Sequence, residues 1–155
     1  FYTVPQTKRL FECCHDRFKG CLGMLLFAGV RPKEVGRMTE DDIDVPGRRI
    51  LLRGEKTKTR RTRLIQHIPD TAFEWVEAHG FDSTNRVRRI RQISGDTHWI
   101  QDGCRHSFMT YMVASGKVTE AVLAAGHLGT QVAMRHYVSL TVGREDAEAY
   151  FGVRP

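Results

Sequence analysis

Residues 103–111 read GCRHSFMTY, and the reading of this stretch decides the fold. Arg105, Phe108, Met109 and Met112 recur at the spacing of one helical face. That face is apolar apart from the arginine at its head. The spacing predicts a helix running to Ser115 and stopped by Gly116. A cation is costly to bury without a partner. Arg105 therefore needs a reason to stand where its helix enters the core.

Working outward, the rest of the chain also reads as mostly helical. The segment from Pro5 to about Arg17 carries Leu10, Phe11 and Cys14 on one face. The next, to about Ala28, is apolar nearly all round, as a buried helix is, and Gly29 stops it. Pro32 suits the first position of a short helix, PKEVGRM. Then the pattern changes. DIDV, the turn Pro46-Gly47 and RRILLR predict a β-hairpin. GEKTKTRR predicts a longer exposed turn, and TRLIQHI a third strand. Helices are expected again over 70–79, closed by Gly80, and over 84–93, with Val87, Ile90 and Ile93 turned inward. Further helices are expected over 118–125, from a Thr130 cap to Tyr137, and over REDAEAYF near the C-terminus. The predicted class is α+β: mainly helical, with a small three-stranded antiparallel sheet.

The chain has 155 residues and 41% apolar content, which suits one domain with a real core. Its net charge is +6 and its pI about 9.4, a balance that suits a phosphate-rich partner. No apolar run approaches the roughly 20 residues of a membrane span. Cys13, Cys14, Cys21 and Cys104 form no metal-ligand spacing, and the adjacent Cys13 and Cys14 do not readily pair. Reduced thiols and a cytoplasmic location are expected. The chain begins with Phe1 rather than Met, so a fragment of a longer protein is expected.

Several polar residues fall beside structural punctuation. Arg31 follows a buried helix, Arg105 heads another, His127 follows Gly126, and Tyr137 ends a helix. Lys56 and Lys58 lie on the hairpin turn. Singly, each has a plain reading as a cap, a solvated edge or a core residue. As an ordered set they resemble the catalytic domain of the tyrosine recombinase (phage integrase) family. The first box is LLFAGVRPKEV, with Arg31. The hairpin is EKTKTRRTRL, with Lys58 the better match and Lys56 the reserve. The second box is DGCRHSF, with Arg105. AAGHLGTQVAMRHY supplies His127 and Tyr137. The resemblance covers the chain from about Pro5 to its end. It departs at Asp102, where the family usually has His. Asp102 is expected to cap the Arg105 helix, to support Arg105 or His127 in the site, or to do both.

The resemblance implies the family's fold and a DNA strand transferase. Arg31 and Arg105 would clamp the oxygens of a phosphodiester. Tyr137 would attack phosphorus to give a 3′-phosphotyrosyl link, with His127 holding a phosphate oxygen. Lys58 would protonate the leaving 5′ oxygen. No metal or cofactor is called for. The implied partner is double-stranded DNA, with the protein a homo-oligomer on it (a tetramer), the isolated domain being open to monomer. Lys56, Arg60, Arg61, Arg63, Arg86, Arg88 and Arg89 are expected to grip the DNA backbone. His106 is expected to be a packed support. The family's N-terminal DNA-clamping domain is expected to be missing from residues 1–155. The tail helix, about 143–151, is expected to dock either on a neighbouring protomer or on its own domain. Competing readings are a DNA-binding module of the same fold without chemistry and a basic RNA-binding or structural protein. A cysteine phosphatase, suggested by Cys104 beside Arg105, lacks the phosphate-cradling loop.

Overall fold

In the computed structural model, which describes residues 1–126, 131, 135, 137 and 141–155, the chain is mainly helical and carries one small antiparallel sheet. Helix α1 (Val4–Cys13) starts at a capping box. Thr3 Oγ1 accepts from the Gln6 N–H, and Gln6 Oε1 accepts from the Thr3 N–H, while Pro5 fits the first turn. The helix stops short of Arg17. His15 leaves the helical path, its Nδ1 accepts from the Arg17 N–H, and a separate 3₁₀ turn (Asp16–Phe18) begins there.

Helix α2 (Lys19–Phe27) is buried from Gly20 onward, as its apolar circumference predicted. It lies along α4 (Thr71–His79). Glycines make that approach close: a Cβ on Gly23 would stand 2.7 Å from Cβ of Trp75. Gly29 ends the helix with φ 64°, a left-handed conformation that an L-residue reaches only at a cost. A side chain there would also collide with the ring of Phe108. The next residues lead directly into α3 (Pro32–Val35), with Arg31 at its N-cap.

The sheet has the order β1 (Ile43–Asp44), β2 (Arg49–Leu52), β3 (Arg63–Ile65), with Ile43 opposite Ile50 and Ile50 opposite Ile65. These three isoleucines turn inward, while Leu51 and its partner Leu64 face outward. The first turn is held by the Gly47 N–H donating to Asp44 Oδ1 at 2.9 Å. The strands are shorter than the apolar pattern suggested, because the flanking residues go into turns.

Helix α5 (Arg86–Asp96) begins later and ends later than expected. Asn85, in the left-handed region, turns the chain into it. Ile93 is buried and Ile90 partly so, but Val87 is 53% exposed. The predicted inward face of α5 is therefore narrower. Helix α6 (Gly103–Ala114) carries the opening stretch, with Phe108, Met109 and Met112 fully buried. Helix α7 (Val118–Ala125) packs on α6 and on β3.

The C-terminal helix (Arg144–Phe151) packs on α6 and α1. Tyr150 is fully buried, donates its hydroxyl to the Leu26 carbonyl at 2.8 Å and stacks on Tyr111 with centroids 4.0 Å apart. Trp75 Nε1 donates to the Val153 carbonyl at 2.9 Å, and Arg154 pairs with Glu74. Among the described residues no helix is long and apolar enough to cross a membrane.

Candidate active site

Five separate segments meet at one open cleft of about 880 Å³. The loop after α2 and the start of α3 bring Arg31, Lys33, Glu34 and Arg37. The hairpin loop between β2 and β3 brings Lys58 and Arg60. The head of α6 brings Asp102, Arg105 and His106, and Tyr137 completes the wall. Arg86 reaches in from α5. Seven lysines and arginines line this cleft against three carboxylates. One of those carboxylates, Glu34, is already committed to neighbouring arginines, so the net field is strongly positive.

Arg105 has the partners its position demanded. Its Nη1 donates to the Gly29 carbonyl at 2.8 Å, and its Nη2 donates to the Ala125 carbonyl. These carbonyls lie at the C-terminal ends of α2 and α7, where helix dipoles present partial negative charge. One guanidinium thus fastens the loop that carries Arg31 to the C-terminal end of α7. Arg105 is 7% exposed. Burial pushes it down to about 10, with Arg31 and Arg63 adding repulsion and Glu34 and Tyr137 acting in its favour. It remains a cation at neutral pH.

Glu34 is buried and holds two arginines. Arg63 forks onto it, Nη1 to Oε1 at 3.2 Å and Nη2 to Oε2 at 2.9 Å. The Arg31 backbone N–H donates to Oε2 at 3.0 Å and its Nη1 to Oε1 at 3.4 Å. Burial alone would raise this carboxyl. The Arg63 fork, with the Arg31 contacts, outweighs it and leaves the group below its ordinary range. Arg63 is therefore largely internal, 12% exposed at its side chain, with its guanidinium turned onto Glu34. Gly126 leaves room for it: a Cβ there would stand 2.8 Å from Arg63 Nη1.

The two hairpin lysines part company. Lys58 is exposed and lines the cleft. Lys56 turns away and binds the buried carboxylate of Asp42 at 2.5 Å. There it neutralises a buried carboxylate, a structural role. The remaining basic residues divide likewise. Arg60 lines the cleft, and Arg61 and Arg88 are exposed. Arg86 Nη1 donates to the Pro32 carbonyl at 2.7 Å, and Arg89 Nη1 donates to Gln92 Oε1 at 3.2 Å.

Asp102 occupies the N-cap position of α6, but its side chain makes no capping hydrogen bond. Its φ of 55° is left-handed, whereas a side-chain cap needs extended backbone there. Its carboxylate is exposed on the cleft. His106, expected to be packed, is exposed on the cleft too, and its ring lies against that of Tyr137, centroids 5.3 Å apart. Tyr137 is 8% exposed. His127 lies outside the described residues. Cys104 is a buried thiol that burial pushes far up, so it is no nucleophile. Among the described residues no group of three or more His, Cys, Asp or Glu is placed to hold a metal ion.

Two residues of the cleft, Glu34 and His106, were not among the site residues expected from the sequence. Glu34 was findable, since a carboxylate three residues after an N-cap is a capping-box position and it was the sole acid in a basic stretch. His106 had no such signal, because which way it faces depends on packing.

Comparison of the chain with protein-family models, with curated proteins and with solved structures found no match.

Proposed function

We propose that this domain is a DNA strand transferase of the tyrosine recombinase type, with the fold of that family's catalytic domain. One observation carries the reading. Arg31, Lys58, Arg105 and Tyr137, matched by their order in the sequence, line a single cationic cleft. A basic protein that merely neutralised phosphates would have no need for a tyrosine between its arginines.

The chemistry follows from the residue types. A phosphodiester in the cleft meets Arg31 and Arg105. A guanidinium carries five N–H donors. The Gly29 and Ala125 carbonyls engage Nη1 and Nη2 of Arg105 once each, and its other N–H groups remain for a phosphate. Negative charge grows on the phosphate oxygens in the transition state, and fixed cations stabilise it there. The Tyr137 oxygen bonds to phosphorus as the bond to the 5′ oxygen breaks. Lys58, on an exposed hairpin loop, gives that oxygen a proton. The reverse steps rejoin a strand, with the bond conserved in the phosphotyrosyl link. Double-stranded DNA is the partner on this reading.

A second reading is favoured by Asp102, which sets a carboxylate on the phosphate cleft where the family has histidine: a DNA-binding module of the same fold without chemistry. One experiment separates the two. The protein is mixed with nicked duplexes tiled from the DNA flanking its own gene, and adducts are resolved on a denaturing gel. The nick lets the cleaved fragment diffuse away, so an adduct accumulates. A shifted band that is lost in Tyr137→Phe is expected. Tight, salt-sensitive binding without a band would favour the binding module. Neither band nor binding would overturn both.

A further inference from the structure

Between Gly103 and Met112 every residue of α6 is buried except His106. This one exposed side chain opens onto the cleft. Its imidazole lies against the Tyr137 ring, centroids 5.3 Å apart and planes 47° to each other. An aromatic contact made only for packing would ordinarily be covered. Here a side chain able to take a proton stands in solvent reach beside the proposed nucleophile.

Resting on the function proposed above, we propose that His106 accepts the phenolic proton of Tyr137 as the tyrosine attacks phosphorus. The step balances. The Tyr137 oxygen forms its bond to phosphorus and releases its proton to the imidazole. The bond to the 5′ oxygen breaks, and that oxygen takes a proton from Lys58. Rejoining runs the same transfers backward, with the 5′ hydroxyl returning its proton to Lys58 and His106 returning its own to the tyrosine.

Among the described residues two side chains one helical turn apart compete for this role, Asp102 and His106. Carboxylates hold protons far more weakly than imidazoles. A base works best when its proton affinity approaches that of its donor, and a phenol is a weak acid. The imidazole is the better match. It also touches the tyrosine ring, a contact recorded for His106. Catalytic hydrogen bonds are often long before substrate arrives and tighten in the complex, so ring contact in the unliganded protein is the expected precursor.

The test uses the nicked duplexes of the trapping experiment above, in two versions. One has the normal bridging 5′ oxygen at the scissile phosphate, and the other has sulfur there. A thiolate leaves without needing a proton. Lys58→Ala should be slow on oxygen and recover on sulfur. His106→Phe keeps an aromatic ring against Tyr137 but removes the base. It should slow adduct formation by roughly 10²-fold or more on both substrates, with DNA binding unchanged. His106→Gln, which keeps a polar side chain, should be equally slow. Wild-type rates in His106→Phe would reduce the contact to packing and overturn the proposal. Recovery of the histidine variants on sulfur would also overturn it, since His106 would then serve the leaving group. Absence of any wild-type adduct on either version would instead remove the strand-transferase reading on which the proposal stands.

Discussion

Arg63 grips Glu34 with both arms of its guanidinium, at 3.2 and 2.9 Å, and the same carboxylate holds Arg31. A buried acid is thus shared between one arginine that never reaches the cleft and one that lines it. Removing one partner of a buried ion pair typically costs about 3–5 kcal/mol, because the other charge is left without compensation. Glu34→Ala should lose at least that much in urea unfolding and should loosen Arg31 as well. Glu34→Gln, which keeps the shape, should lose less. The pH dependence has a definite sign. The folded carboxyl lies below its unfolded value, so the unfolded chain takes up the proton first on acidification. The stabilisation is complete above the ordinary glutamate range, near 4.3, and is lost as pH falls through the lower folded value. The stability gap between wild type and Glu34→Gln should therefore close as the pH is brought below about 4.

Arg105 should behave differently from Arg31. Removing Arg105 leaves the Gly29 and Ala125 carbonyls without their donor. Unsatisfied buried polar groups cost about 1–3 kcal/mol each. Arg105→Ala should lower stability by roughly 2–6 kcal/mol on that basis and also abolish adduct formation. Arg31→Ala should abolish the adduct at much smaller cost, because Arg63 still holds Glu34. Paired urea melts and trapping assays on the two variants check this. Equal stability losses would contradict the structural role given to Arg105.

The answer to why Arg105 heads a buried helix was only half legible in the sequence. Helical spacing showed that α6 would be buried, and Gly29 and Gly126 marked the helix ends whose carbonyls it meets. That those ends converge on one guanidinium is a tertiary fact. Local patterns also misjudged charges. Lys56 and Arg63 sit in a run of exposed-looking basic residues, yet each finds a buried carboxylate, Asp42 and Glu34, from elsewhere in the chain. Val87 fits a helical apolar stripe, yet it stays 53% exposed. Periodicity identifies a face, while only the assembled fold decides what covers it.

Lys56 and Lys58 should separate cleanly on mutation. Lys56→Ala leaves Asp42, itself fully buried, with Arg53 as its remaining side-chain cation. It should reduce stability by about 3 kcal/mol on the scale of a broken buried pair. Lys58→Ala should leave the unfolding midpoint within about 0.5 kcal/mol of wild type, as exposed substitutions do, while slowing cleavage. A reversal of these two outcomes would exchange the assignments of the lysines.

The salt dependence of DNA binding should sort the arginines in the same way. Each phosphate contact contributes about 0.9 to the slope of log affinity against log salt. Arg60→Ala, which removes an exposed cation from the cleft wall, should lower the slope by about one. Arg63→Ala should leave the slope unchanged at temperatures where it stays folded, and should lower the melting temperature instead, since its guanidinium faces Glu34. A reduced slope in folded Arg63→Ala would show that this arginine leaves Glu34 for a phosphate when DNA binds.

The tail gives the last prediction. The C-terminal helix is fastened to the core at separate points: the Tyr150 hydroxyl to Leu26, Trp75 to the Val153 carbonyl, and Thr71 to the Phe151 carbonyl. Tyr111 and Tyr150 stack between α6 and this helix. Deleting residues 144–155 would expose that stack and Phe27 beneath it. Leucine- or tyrosine-sized groups lost from a core cost several kcal/mol each, a large part of the 5–15 kcal/mol that holds a domain folded. The truncated protein should therefore lose its cooperative thermal transition. Tyr150→Phe, which removes one hydroxyl, should lower stability by about 1 kcal/mol and keep the fold. If the truncated chain instead melted cooperatively and changed only its assembly on DNA, the helix would be acting on a neighbouring protomer rather than on its own core.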